Sequence, residues 1–235
     1  MSEDLSFPPL MWGEEVSEDA MGHAARRATL GCDAGLVAYV LGPSELEAAL
    51  VLTPEVPLTE AMVMLPLCGV GFQNALGALA PPEVAVHLDW AGGIHVNGAR
   101  CGQLNAMASG DDPDAVPDWL VIGVRIPLMP ARDDMGVVPD ETALYAEGCA
   151  DVQPPRLAEA FARHTLNWIT RWESDGARVL HSEWRGLAHG IGEPLTFQGR
   201  TGTFLGVDEN FGMLLRDDAG DTALVPLTRL LEDMT

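Results

Sequence analysis

Val86-His-Leu-Asp-Trp-Ala-Gly-Gly-Ile-His-Val-Asn-Gly-Ala-Arg-Cys-Gly-Gln-Leu104 carries two turns in close succession. The first, Trp90-Ala91-Gly92-Gly93, ends an apolar strand. A second short strand follows at residues 94–96, and Asn97-Gly98 sends the chain back. Asn-Gly between apolar runs marks a type I′ hairpin, because both central positions need a positive φ that these two residues tolerate. The return strand starts at Arg100 and carries Cys101, Gly102 and Gln103 toward whatever the hairpin faces.

Upstream, residues 1–13 are Pro-rich and read as extended chain. Ser17-Glu18-Asp19-Ala20 reads as a helix start with Ser17 as cap; Met21, Ala24, Ala25 and Ala28 give its buried face and Gly31 its stop. Residues 36–41 and 46–52 read as strands joined by a turn at Gly42-Pro43-Ser44, and residues 59–79 as one long apolar helix. Downstream, residues 119–128 form a strand with Arg125 midway along it. Burying an unpaired guanidinium costs several kcal/mol, so Arg125 faces solvent or meets an anion. Residues 133–155 are loop-rich and acidic, with Arg132 at their edge, and are read as a lid or an edge excursion. Residues 156–173 form an amphipathic helix whose Trp168 and Trp172 are core, and residues 182–187 a shorter one. From Gly190 the texture changes to four short strands between Gly and Asp turns, a small-barrel pattern.

The chain of 235 residues has a formal charge of −22, which disfavours phosphate-backbone binding, so no nucleic-acid partner is expected. All 13 basic residues are arginines. A lysine base, Schiff base or acyl acceptor is therefore excluded within this chain. The four cysteines are widely spaced, which points away from zinc and from a disulfide framework. Apolar runs stop well short of the roughly 20 residues of a membrane span. Ser2-Glu3-Asp4 opens no secretory signal. The expectation is a cytoplasmic protein without a membrane partner.

The hairpin resembles the central hairpin of the biotin and lipoate protein ligases, written there as K-W-P-N-D, an apolar strand, V-N-G, R-K and A-G-I-L. Trp90, Val96, Asn97, Gly98 and Leu104 keep that frame. Asp89 stands where the family has its lysine before Trp, Ala91-Gly92-Gly93 replaces P-N-D, and Arg100 falls at the lysine after the turn. Gly123 and Ile126 match the family's G-I-G-I-N strand, with Arg125 and Pro127 at its second glycine and its asparagine. Ser17 matches the first residue of the S-T-N helix start, with Glu18 and Asp19 in place of Thr and Asn. The family's long G-R-G-R-R-G connection, which holds phosphate through backbone N–H groups and arginine charge, corresponds here to the short, acidic Gly42-Pro43-Ser44-Glu45. Gly202 to Leu214 follows the G-x-x-x-G-V-D-E-x-G-x-L run of the small C-terminal domain.

The resemblance implies an α+β, class II synthetase-like ligase domain over residues 1–188 and an SH3-like β-barrel over residues 189–235. It implies a ligase that condenses a small carboxylic acid with ATP and magnesium and hands the acyl group to a lysine of a carrier domain; a homodimer is compatible with it. The altered residues point instead to a pocket under the hairpin that binds a biotin-, lipoate- or octanoate-type acid, with ATP-dependent ligation lost or strongly modified. Two further readings stand beside this one: an ATP-independent acyltransferase using Cys101, whose thiol has Arg100 as an electropositive neighbour, and a non-catalytic partner-binding module. Arg100 is the expected anion anchor and Gln103 a polar orienter. Asp89, Trp90, Gly92, Gly93, Gly102 and Arg125 are expected to line the pocket, the glycines serving close backbone approach or equally turn and bulge geometry.

Overall fold

The computed structural model describes residues 5–130 and 140–232. Arg132 and residues 133–139 of the loop read as a lid lie outside the described residues. Seven strands form one sheet in the order β1-β2-β3-β7-β6-β5-β4: β1 (Trp12–Glu15), β2 (Leu36–Leu41), β3 (Glu45–Leu52), β4 (Val86–Leu88), β5 (Gly93–Val96), β6 (Ala99–Ala108) and β7 (Leu120–Pro127). β1 pairs with β2 in parallel and every other neighbour is antiparallel.

Alternation along the strands feeds two cores. Val37 and Tyr39 face one and Leu36 and Ala38 the other. The smaller core lies under α1 (Ala20–Thr29), whose Ala20, Ala24, Ala25 and Ala28 pack on Ala38, Ala49 and Val121. Small residues on both sides let the helix sit close to the sheet. The larger core takes α3 (Met64–Gly77), α4 (Pro154–Asp175) and α5 (Ala177–Leu187) on the opposite face.

Four local expectations are corrected. Asp19, not Ser17, caps α1: at φ 53° its carboxylate accepts the Gly22 N–H at 2.8 Å. The long helix is two, α2 (Leu58–Ala61) and α3. Pro66 has no N–H for the Met62 carbonyl, and its ring crowds that carbonyl, so a continuous helix fails there. Trp12–Glu15, of which the extended-chain reading covers only residues 12 and 13, is an edge strand of the sheet. The C-terminal strands β8 (Pro194–Phe197), β9 (Arg200–Val207), β10 (Met213–Arg216) and β11 (Thr222–Val225) make an open antiparallel sheet ordered β11-β10-β9-β8, not a closed barrel.

That sheet docks on the hairpin. Trp90 is buried, donates its indole N–H to the Phe211 carbonyl at 2.8 Å, and meets Phe197 edge-on at 5.1 Å. Trp184 of α5 packs edge-on against Phe211 at 6.1 Å. Among the described residues no helix is long and apolar enough to cross a membrane.

Candidate functional site

The hairpin forms as its residues dictate. Asn97 and Gly98 adopt φ of 52° and 96°, the type I′ pair. The Asn97 side chain ties the turn down by accepting the Ala85 N–H at 3.0 Å and donating to Glu147 at 3.0 Å. One irregularity then decides which side chains meet. Ile94 pairs with Gly102 and His95 with Arg100, so Cys101 is the extra residue of a β-bulge. In a regular strand Arg100 and Gln103, three apart, would point to opposite faces. The bulge brings them to one face, where the Arg100 guanidinium donates to the Gln103 carbonyl.

Cross-strand register carries this face across the sheet. Gly93 lies opposite Gln103, Gln103 opposite Arg125, Arg125 opposite Glu47, and Asn105 opposite Gly123. Beneath the start of α1 these residues enclose a cleft of about 200 Å³ lined by Gln103, Asn105, Gly123, Arg125, Glu47 and the backbone turn from Asp19 to Met21. Glu232 completes it from the far end of the chain, because its N–H bonds the Ala106 carbonyl at 2.9 Å.

The residues singled out from sequence divide between two faces. Gln103 and Arg125 line the cleft, and Arg100 reaches its rim through Gln103. The Gln103 amide is held by the Ala91 and Leu104 carbonyls at 2.8 and 2.7 Å, which fixes its orientation. Arg125 is engaged within the chain, 2.6 Å from Glu45 and 3.5 Å from Glu47. Both readings of Arg125 hold: its side chain is exposed, and the anion it meets is the protein's own Glu45. Trp90 faces the other way, into the seam with the C-terminal sheet. The three glycines are demanded by intramolecular packing. A Cβ on Gly92, at φ 88°, would meet the Leu104 carbonyl; on Gly93, the Asp89 carboxylate; on Gly102, the Arg125 carbonyl and Ile126.

Asp89 accepts the Gly93 N–H at 2.7 Å and faces His95 Nε2 at 3.0 Å. Burial pushes its carboxyl up. The His95 hydrogen bond, the Gly93 N–H and the charges of His95 and Arg100 outweigh that and hold it below the usual carboxylate range. His95 in turn stacks on His189 at 4.0 Å. Cys101 is 1 % exposed and belongs to the larger core. Burial, with Glu147 and Cys149 adding to it, pushes its thiol up to about 12. Arg100 does not offset this, so the expected activation of Cys101 is absent. Among the described residues no three His, Cys, Asp or Glu side chains are grouped to hold a metal ion.

Glu47, Asn105 and Glu232 were missed from sequence. Asn105 had a signal: it lies two residues beyond Gln103 and so shares its face. Glu232 had none, since it reaches the cleft only through the path of the C-terminal segment.

Residues 7–186 match the model of the Biotin/lipoate A/B protein ligase family, and residues 191–233 match a domain of unknown function, DUF4444. The crystal structure of a biotin protein ligase-like protein of unknown function from Silicibacter sp. TM1040 is 63% identical, with a TM-score of 0.92 over 97% of this chain and 100% of that one. Biotin protein ligase from Aquifex aeolicus shares the fold at 14% identity, with a TM-score of 0.72 over 92% of this chain and 94% of that one. So does the Leishmania major ligase solved with biotinyl-5-AMP, at 18% identity and a TM-score of 0.59 over 93% and 99% of the two chains. No curated protein matches. The chain belongs to the biotin/lipoate A/B protein ligase family.

Proposed function

We propose that this protein binds a small carboxylic acid of the biotin, lipoate or octanoate type in the cleft beneath the hairpin and does not activate it with ATP. The observation that carries this reading is the Arg100–Gln103 pair at the cleft rim. Arg100 is exposed, forms no ion pair among the described residues, and is steadied by a neutral amide. A guanidinium so placed offers two parallel N–H bonds to a carboxylate. Gln103, locked by two carbonyls, sets the direction of approach.

The second half of the proposal rests on what would meet the phosphates. The Aquifex aeolicus ligase is solved with biotin and ATP. Adenylation builds negative charge on the α-phosphate and on the attacking carboxylate, and it requires fixed positive charge there. Here β2 and β3 are joined by Gly42, Pro43 and Ser44 alone, with the Gly42 N–H closed onto the Glu45 carbonyl at 3.0 Å. The chain has no lysine, and Arg125 is neutralised by Glu45 and Glu47. These residues do not fit a nucleoside triphosphate. Thioester transfer through Cys101 is disfavoured, because a buried thiol raised to about 12 supplies almost no thiolate near neutral pH.

Isothermal titration calorimetry with biotin, lipoate and octanoate tests the binding reading. One of them should bind saturably, and Arg100→Ala should weaken it by roughly 10- to 100-fold, the worth of a charge-assisted hydrogen bond. Unchanged affinity in the variant would remove Arg100 as the anchor.

A further inference from the structure

The segment that joins the two sheets crosses the outer edge of β4. Ala188 bridges Leu88 in parallel, and the His189 N–H donates to the Leu88 carbonyl at 2.8 Å. Gly190 and Gly192 follow, at φ of 78° and 88°, conformations that glycine adopts without strain. Beyond them the segment is tied to β9. The Gly192 N–H reaches the Phe204 carbonyl at 2.7 Å, and the Phe204 N–H reaches the Glu193 carbonyl at 3.0 Å. Over this joint the His189 ring lies nearly parallel on His95, with 4.0 Å between centroids and 16° between planes.

His95 is 9% exposed, and its Nδ1 is buried with no hydrogen-bond partner among the described residues. A nitrogen so placed costs free energy that is recovered once water reaches it. The closed stack is therefore poised to open. Neutral imidazoles stack as aromatic rings do. A proton on His189 must instead be carried by a half-buried ring with one face against His95, so charging favours release into water. The groups facing His189 are His95 on β5, His87 on β4, Asp89 in the turn between those strands, and Glu193 on its own segment. Arg100 acts on Asp89 from β6. Burial first and His95 next hold the His189 ring below the ordinary imidazole range; His87 adds to this, and Glu193 and Asp89 offset it only in part.

We infer that the His95–His189 stack is a proton-operated latch between the hairpin and the C-terminal sheet, closed over β4 while His189 is neutral and released when it is protonated. An imidazole depressed in the closed state leaves that state unpenalised above its free value of about 6.5. It weakens the closed state as pH falls below that value toward the closed-state one. Release is local. It bares the edge of β4, while the seam at Trp90 stays, because the Phe211 carbonyl and the Phe197 ring that hold it do not titrate.

Amide hydrogen exchange on the full chain, read as protection relative to the intrinsic rate at each pH, tests this between about pH 8 and about pH 5, where imidazole titrates. Asp89, held below the usual carboxylate range, stays charged throughout. Peptides covering residues 187–193 should lose protection several-fold on acidification, while those from β6 and β7 keep theirs. In His189→Phe, which keeps a ring on His95 and cannot take a proton, that loss should vanish. Constant protection in the wild type, or a loss shared equally by β6 and β7, would overturn the inference. A loss that persists in His189→Phe would move the proton to another group, such as His181 at the Asp208 carbonyl, and overturn it too. Should His189→Phe fail to fold, the NMR titration of the His189 ring in the wild type decides. A midpoint below that of a free imidazole supports the latch, and one at or above it contradicts it.

Discussion

One side of the 86–104 hairpin meets the helices and the C-terminal sheet through Trp90, Ile94 and Val96; the other carries Asp89 bound to His95 and, at the cleft, Gln103 with Arg100 at its rim. On the apolar side Trp90, Ile94, Val96 and Leu104 are buried, and Trp90, Val96 and Leu104 among them match the family's frame. The polar side carries Asp89 and Arg100 where the resemblance expects lysines. Packing constrains the first side by shape alone, so it persists when chemistry changes. The second is bound only by whatever ligand it serves.

Breaking the apolar side should cost most. Trp90→Ala removes a buried indole, its hydrogen bond to Phe211 and its contact with Phe197. It should destabilise the protein by about 3–5 kcal/mol in chemical denaturation; a loss below about 1 kcal/mol would mean the C-terminal sheet is not anchored there. Gly93→Ala comes next. Its Cβ would lie 2.1 Å from the Asp89 carboxylate, so that carboxylate must move, at about 1–3 kcal/mol. Urea midpoints measure this, and a neutral result would show that Asp89 is free to swing away.

On the polar side the effects on stability should be small. Asp89 is depressed in the folded state, so its contribution is fully present above its unfolded value near about 3.9 and is lost as pH falls through the folded value. The urea-midpoint gap between wild type and Asp89→Asn should therefore hold at neutral pH and close below about pH 4; a gap that widens on acidification reverses the sign argued here. Arg100→Ala should leave stability within about 0.5 kcal/mol, as an exposed side chain does, while weakening ligand binding. Cys101 should resist a thiol-specific reagent in the native state and react once unfolded.

The same contrast governs what was legible in the sequence. Asn97-Gly98 announced its turn because a positive φ at two successive positions admits few residues, and Leu36–Leu41 announced its strand through β-branched and aromatic content. The Pro66 break was written in the chain but hidden by an unbroken apolar run around it. Trp12–Glu15 was not legible as a strand, since its pairing with β2 is non-local and the segment lacks alternation. The candidate site was half legible. Arg100 bonds Gln103, which pairs with Arg125 across the sheet, but the bulge at Cys101 that turns Arg100 and Gln103 to one face cannot be placed from spacing. Nor can the ion pair that occupies Arg125, or the arrival of Glu232, because both depend on tertiary register.

The most direct test of the proposal that the cleft binds an acid without adenylating it is ATP–pyrophosphate exchange on the folded protein, with each of biotin, lipoate and octanoate and with magnesium present. The account expects no exchange above background at concentrations where calorimetry shows an acid bound. Exchange that depends on one of those acids would contradict it and place ATP activation in a cleft without lysine or a basic loop.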